Sequence, residues 1–389
     1  MEELLYKSNP WWEDKYSFDG KQRDIYLSEL ESYFSNKDII FLTGLRRVGK
    51  TSILKSFISN LINVKKINVK HIFYISLDLM ALKDMSIVEI LTEYRKIHKL
   101  TSKIKVYLFL DEITSKENYQ QELKNLYDLE DTKIYASSSS ASLLRDKNAY
   151  LTGRQRVLEV MPLNFEEYLD FKEVTIKKSD AYLNESYFEE YMNDGGMPEF
   201  VLTGDISYLQ NLIDHIIYKD IIAYHNIKNE NVVKDFYKLL MERSGKQLSL
   251  NKIANILDIG VDSARRYLAY FEDTYLIYTV EKHGKLNERI KNPKKIYSGD
   301  VGLKNIVTGF RDKGAIFENL VFLKLKQKNP RYLYVDGIEI DFMTEEKTLI
   351  EVKYNSELNE KQQKLFDTTL ANEKIVVDSF QKYLEINTA

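Results

Sequence analysis

Short apolar runs rich in β-forming residues alternate with helical periodicities in the first part of the chain. Asp38-Ile39-Ile40-Phe41-Leu42 is long enough for one buried strand, and Ile53, Leu54, Phe57, Ile58, Leu61 and Ile62 then recur at helical spacing. Four more runs read as strands: Ile72-Phe73-Tyr74-Ile75-Ser76-Leu77, Val106-Tyr107-Leu108-Phe109-Leu110, Lys133-Ile134-Tyr135-Ala136 and Val157-Leu158-Glu159-Val160. Ile25, Leu27, Leu30 and Tyr33 suggest a helix ahead of the first strand. Strands interleaved with helices predict an α/β domain.

Beyond residue 162 the pattern changes. Residues 163–230 read as helices, with Tyr187, Phe188, Tyr191 and Met192 on one stripe that suits a core. Val232, Phe236, Leu239 and Leu240 mark a further helix. Ser249 caps another from Leu250 to Leu257, and Asp258-Ile259-Gly260-Val261 is a turn. Asp262 or Ser263 opens a third helix, and Leu276-Ile277-Tyr278-Thr279-Val280 is a strand. Helix, helix, glycine turn, helix and strand is the order of a winged helix-turn-helix. Gly314 to Val321 starts a helix. Ile338 to Met343 then alternates, with Ile338, Ile340 and Phe342 on one face and Glu339 and Asp341 on the other. After a hairpin turn at Thr344–Lys347, Leu349 to Tyr354 is the next strand, with Glu351 and Lys353 on one face. Ile375-Val376-Val377 is a last one. The expected domains are 1–162, 163–230, 231–297 and 298–389.

Composition narrows the function classes. The 389 residues are 44% hydrophobic and 30% charged, as in a globular protein of two or three domains. No apolar run approaches a membrane span, so no membrane partner is expected. The absence of cysteine excludes disulfides, thiolate zinc sites and cysteine nucleophiles. With no secretion signal at the N-terminus, a cytoplasmic location is expected. A net charge of −3 means that nucleic-acid contact needs a local basic patch. Asn9-Pro10-Trp11-Trp12 holds both tryptophans, whose rings are expected to pack against the core.

Between the first strand and the helix lies Gly44-Leu45-Arg46-Arg47-Val48-Gly49-Lys50-Thr51, a G-x-x-x-x-G-K-T phosphate-binding loop, followed by Ser52. Gly44 and Gly49 let backbone N–H groups curl around phosphate oxygens, and the helix start adds its dipole. Lys50 would reach the β- and γ-phosphates of ATP, and the Thr51 hydroxyl would hold Mg2+. Asp111 and Glu112 end a buried strand. Asp111 would hold Mg2+ through water, and Glu112 would polarise the attacking water. Ser137 or Ser138 would sense the γ-phosphate, although the run of four serines equally suits a capped loop.

These features together resemble AAA-type ATPases, in which a strand is inserted between the phosphate-loop strand and the Asp-Glu strand. Leu151-Thr152-Gly153-Arg154, Pro162-Leu163-Asn164-Phe165-Glu166-Glu167-Tyr168 and Gly195-Gly196-Met197-Pro198-Glu199 resemble one archaeal and bacterial subgroup fused to a nuclease-like C-terminal domain. The resemblance implies a helical lid, a winged helix-turn-helix and a restriction-endonuclease-like α/β domain. It implies that Arg154 touches the γ-phosphate of its own or a neighbouring subunit, in a possible homo-oligomer. Asp341 with Glu351-x-Lys353 resembles the PD-(D/E)xK signature, with Glu318 as its helical glutamate and Ile340 where the family has proline. Asp341, Glu351 and Glu318 would then bind Mg2+, and Lys353 would hold the attacking hydroxide or the scissile phosphate. Arg265, Arg266 and the basic stretch 282–295 would contact DNA. Two functions stand open: an ATP-driven DNA-acting protein with a metal-dependent nuclease, and a regulatory ATPase switch whose C-terminal domain does not cut.

Overall fold

The computed structural model describes residues 1–141 and 151–386, in two compact units, Met1–Val160 and Met161–Ala389. In the first unit five strands, β1 (Ile39–Thr43), β2 (Ile72–Ser76), β3 (Val106–Asp111), β4 (Thr132–Ser137) and β5 (Gln155–Glu159), form one sheet in the order β2-β3-β4-β1-β5. Every pairing is parallel. Helices on a parallel sheet bury its inner strands on both faces, which is why β1, β3 and β4 are buried at every residue. All strands in such a sheet end on the same side, so the segments after β1, β3 and β4 meet there. The expected strands are present, displaced by a residue or two at their ends.

Both tryptophans are packed as expected. Their indole N–H groups donate to the same carbonyl, Ile72 O, at 3.2 Å from Trp11 and 3.0 Å from Trp12. The Trp12 ring lies 6.2 Å from Phe73 and 5.7 Å from Tyr94, so the N-terminal segment caps one end of the aromatic core.

In the second unit, the helices Glu230–Glu242, Leu250–Ile256 and Val261–Asp273 precede an antiparallel pair, β6 (Ile277–Val280) and β7 (Lys295–Ser298). Ser249 caps Leu250–Ile256 as expected. The third helix opens at Val261 behind Gly260, so Asp262 and Ser263 fall inside its first turn. A four-stranded sheet follows, in the order β11-β10-β9-β8, from β8 (Arg331–Val335), β9 (Ile338–Met343), β10 (Thr348–Val352) and β11 (Glu373–Val377). Strand β10 pairs antiparallel with β9 and parallel with β11. It ends at Val352, so Lys353 lies one residue past the strand expected to carry it, although its N–H still donates to Val377 O at 2.9 Å. Phe165, Tyr168, Val280, Tyr297, Phe317 and Phe342 share one core, which draws on all three segments expected beyond residue 162.

A close backbone approach ties this unit together. Gly196 N–H donates to the buried Asp300 carboxylate at 2.7 Å, and Leu163 N–H donates to Gly196 O at 2.8 Å. A Cβ at Gly196 would stand 2.3 Å from Leu163 O and 2.7 Å from Leu163 N. Gly196→Ala should therefore destabilise the second unit by about 1–3 kcal/mol through overpacking. Both tryptophans report on the first unit alone. In urea, the circular-dichroism transition should move to lower denaturant while the tryptophan fluorescence transition stays in place. Coincident, unmoved transitions would contradict this.

Candidate functional site

The loop Gly44–Thr51 follows β1 and runs into the helix Lys50–Asn63. Gly44 has φ +134°, and a Cβ there would lie 2.3 Å from Val160 O. Gly49 has φ +102° and Arg47 has φ +62°, so the backbone coils through the left-handed region before the helix begins. Leu45 and Val48 are buried and anchor the loop, and Arg23 donates to Val48 O at 3.2 Å. The Lys50 side chain is buried within the loop, where Nζ donates to the carbonyls of Gly44 and Leu45, each at 2.9 Å. Ser52 is exposed in the first turn of the helix.

Strand register brings the acids to this loop. Leu110 pairs with Ala136 and Leu42 pairs with Ser137, which places the ends of β1, β3 and β4 level. Thr51 Oγ1 donates to Asp111 Oδ2 at 2.6 Å, and the Tyr74 hydroxyl donates to the same oxygen at 2.9 Å. The Ser137 hydroxyl donates to Asp111 Oδ1 and accepts from Glu112 N–H at 3.1 Å. Glu112 takes a left-handed backbone, φ +50°, and its Oε1 accepts from Ser139 at 2.6 Å. A hydroxyl and a carboxylate oxygen side by side, under a loop of backbone N–H groups and a lysine, fit a hard divalent ion together with phosphates. Tyr74 and Ser139 were not legible as site residues, because strand register and loop return decide what they touch.

Arg154 stands away from the phosphate loop of its own chain. Its carbonyl accepts from Ile39 N–H at 2.8 Å, at the start of β1. The register then runs from Ile39–Gln155 to Thr43–Glu159, so the phosphate loop lies at the opposite end of these strands, about 15 Å away at ~3.3 Å per residue. Its guanidinium pairs with Asp128 at 3.3 Å and lies over the Tyr127 ring. It does not reach the phosphate loop of its own chain.

A second cluster lies in the other unit. Ile350 pairs with Phe342, which sets Glu351 of β10 beside Asp341 of β9. Each carboxylate accepts a backbone N–H from the opposite strand: Glu351 Oε2 from Asp341 N and Asp341 Oδ2 from Val352 N, both at 3.0 Å. Glu351 Oε1 also accepts from Lys353 at 2.9 Å and Gln362 at 3.1 Å. Glu318, on the helix Lys313–Leu325, accepts from the Tyr297 hydroxyl at 2.7 Å. The centre also holds Lys295, the first residue of β7, with Nζ at 2.7 Å from Glu318, 2.8 Å from Glu339 and 3.0 Å from Asp341.

Two expectations change here. Lys295 was grouped with the DNA-contacting stretch 282–295, but its side chain is fully buried. Among the described residues no set of three or more acidic or histidine side chains is arranged to hold a metal ion. Glu318 and Asp341 turn toward the Lys295 ammonium, and Glu351 toward Lys353 and backbone N–H groups. As arranged, the three expected ligands do not fit a metal.

Burial first, and then the nearby Asp341 charge, raise the pKa of Glu351 to about 8 and of Glu318 to about 7. Burial works against the Lys295 charge, yet Glu318, Tyr297, Asp341 and Glu339 hold its pKa well above the ordinary lysine value.

An AAA domain family matches residues 36–169, and a domain of unknown function, DUF8612, matches residues 185–314. The uncharacterized protein MJ1544 of Methanocaldococcus jannaschii is 32% identical over 364 residues, spanning 88% of this chain and 80% of that protein. An uncharacterized protein of Haemophilus influenzae is 26% identical over 339 residues, 82% of this chain and 83% of that one. Among solved structures, the Aeropyrum pernix ORC1 protein in complex with DNA aligns with a TM-score of 0.35 at 11% identity, covering 75% of this chain and 94% of that one. The Thermotoga maritima RuvB branch migration motor aligns at 0.33 and 16% identity, covering 66% and 86%.

The raised Glu351 pKa has a consequence for stability. A carboxyl with a folded pKa of about 8 and an ordinary value of 4.5 binds more proton when folded across that window. Its contribution is full below the ordinary value and is lost as pH rises through the folded one. Glu351→Gln, which mimics the protonated form, should remove this loss. Denaturant midpoints of the second unit from pH 5 to pH 9 should fall less steeply in the variant than in the parent. Parallel profiles would contradict the assignment.

Proposed function

Because this chain belongs to the family of the M. jannaschii protein MJ1544 and carries an AAA domain at residues 36–169, we infer that it binds ATP with Mg2+ and hydrolyses it. One observation carries the reading: the Thr51 hydroxyl and the Asp111 carboxylate meet at 2.6 Å beneath the loop that buries Lys50. Bound Mg2+ would supply Lewis-acid stabilisation of phosphate charge. Thr51 and Asp111 would hold it, with Ser137 and Tyr74 fixing the Asp111 carboxylate. Lys50 would exchange its carbonyl partners for β- and γ-phosphate oxygens, and the loop N–H groups from Gly44 to Thr51 would cradle them. Glu112, held by Ser139, would orient the attacking water.

We read the second unit as the responding part of an ATPase switch that contacts DNA. Three helices followed by the β6–β7 hairpin support a winged helix-turn-helix. Arg265 and Arg266 are exposed on its third helix, where they hydrogen-bond Asp262 at 2.9 Å and Ser263 at 3.1 Å, partners that phosphates would replace. The chain order of Glu318, Asp341, Glu351 and Lys353 supports a nuclease-like fold for the rest. The buried Lys295 favours a unit that does not cut. A second reading, a divalent-ion-dependent nuclease, is favoured by Asp341 and Glu351 standing on adjacent strands with Lys353 just beyond, 2.9 Å from Glu351.

Lys50→Ala should weaken ATP binding roughly ten- to a hundredfold, through loss of a charged hydrogen bond worth ~1.5–3 kcal/mol. Glu112→Gln should keep ATP affinity and slow hydrolysis by about two to four orders of magnitude. Calorimetry and phosphate release measure the two. Hydrolysis by Glu112→Gln at the parent rate would remove Glu112 from its role.

For DNA, the double variant Arg265→Ala with Arg266→Ala should weaken duplex binding and flatten its salt dependence, since fewer counterions are released. An unchanged slope would mean that this helix faces another partner. Supercoiled plasmid with Mg2+ should stay intact with or without ATP. Nicking that disappears in Asp341→Ala would establish the nuclease reading instead.

A further inference from the structure

Lys295 starts β7 at the end of the basic stretch 282–295, which in sequence reads as a surface for DNA. Its side chain has no exposure and passes inward beside the Tyr297 and Phe342 rings, whose centres lie 5.7 and 5.9 Å from the ammonium. An ammonium has three N–H donors. Here they meet three carboxylates, Glu318 at 2.7 Å, Glu339 at 2.8 Å and Asp341 at 3.0 Å. Each acid is steadied by a neutral donor: Glu318 by the Tyr297 hydroxyl, Glu339 by Gln247 and Asp341 by Val352 N–H. The neighbouring acid, Glu351, is engaged by Lys353, Gln362 and Asp341 N–H. Donors and acceptors at the centre are therefore matched.

A divalent ion would need about six or more oxygen ligands drawn from these same acids and from water. It would also stand within a few ångströms of a buried positive charge. Beside a fully buried ammonium that repulsion is weakly screened and opposes entry.

We propose that Lys295 is the built-in cation of this acidic centre, holding the place of a divalent ion and closing the centre to Mg2+ and Mn2+. The proposal deepens the switch reading of the second unit and does not depend on the ATP chemistry of the first. It also explains why carboxylates in a nuclease-like order coexist with no metal-binding arrangement among the described residues.

The test uses the full-length, nucleotide-free chain and Mn2+, counted by electron paramagnetic resonance of the free ion. The parent and Asp341→Asn should bind Mn2+ equally, because the only ion either takes up lies elsewhere. Lys295→Met should gain about one Mn2+ per chain once its ammonium is removed. The double variant Lys295→Met with Asp341→Asn should lose that gain, which a merely structural role for Lys295 would not produce. The melting temperature of Lys295→Met should rise with Mn2+ and fall back with a chelator, while that of the parent responds to neither at this centre. Loss of Mn2+ in Asp341→Asn relative to the parent would overturn the proposal, since an ion would then enter with Lys295 in place. A folded Lys295→Met that gains no Mn2+ would overturn it too. Should Lys295→Met fail to fold, the comparison of the parent with Asp341→Asn decides alone. Asp341-dependent Mn2+ uptake by a parent that leaves plasmid uncut would sink this proposal and leave the switch reading standing. Plasmid cleavage dependent on Asp341 would sink the switch reading.

Discussion

Parallel pairing in the five-stranded sheet is the constraint on which the first unit depends. Residues 44–51, 111–112 and 137–139 are far apart along the chain, yet β1, β4 and β3 lie side by side and all run the same way. Their C-terminal ends must then open on one edge, where loop, acids and serines face one another. The 2.6 Å contact between Thr51 and Asp111 follows from that register. The same rule carries Arg154 away, because a residue ahead of β5 sits at the opposite edge.

Charge burial sets the architecture of the second centre. Glu351 is 1% exposed and Asp341 is 7% exposed, a placement that is unfavourable unless each oxygen finds a donor. The strands supply backbone N–H groups, and β7 supplies Lys295. Because these donors and the acids they bind come from β7, β9, β10 and the helix Lys313–Leu325, the centre cross-links those elements. Removing one member of such a set leaves the others unpaired. The arrangement therefore serves cohesion whether or not it serves chemistry.

Much of both units was legible because it rests on local rules. The phosphate loop is contiguous, and its glycines mark the turns. The strand runs Ile39–Leu42 and Val106–Leu110 announce burial on both faces, and the alternation from Ile338 to Met343 announces a half-buried strand. The placing of Trp11 and Trp12 in the core follows from their size. Lys353 was placed one residue inside its strand, a shift that belongs to the ordinary blur of strand ends.

What the chain alone determined is therefore the five strands of the first sheet, the phosphate loop, the acids that end β3 and the order of Glu318, Asp341, Glu351 and Lys353; β7 and β8 were not legible. The tertiary structure decided what those residues touch. Tyr74 and Ser139 join the nucleotide edge only because strand pairing and a returning loop place them there. Arg154 and Lys295 make the contrast sharpest. In sequence Arg154 reads as a phosphate contact and Lys295 as a DNA contact, because charge is visible there and direction is not. One remains at the sheet's far edge on Asp128, and the other turns inward to three carboxylates. The face a strand residue presents depends on its partner strand, and burial of a charge depends on distant donors, so neither is written in local spacing.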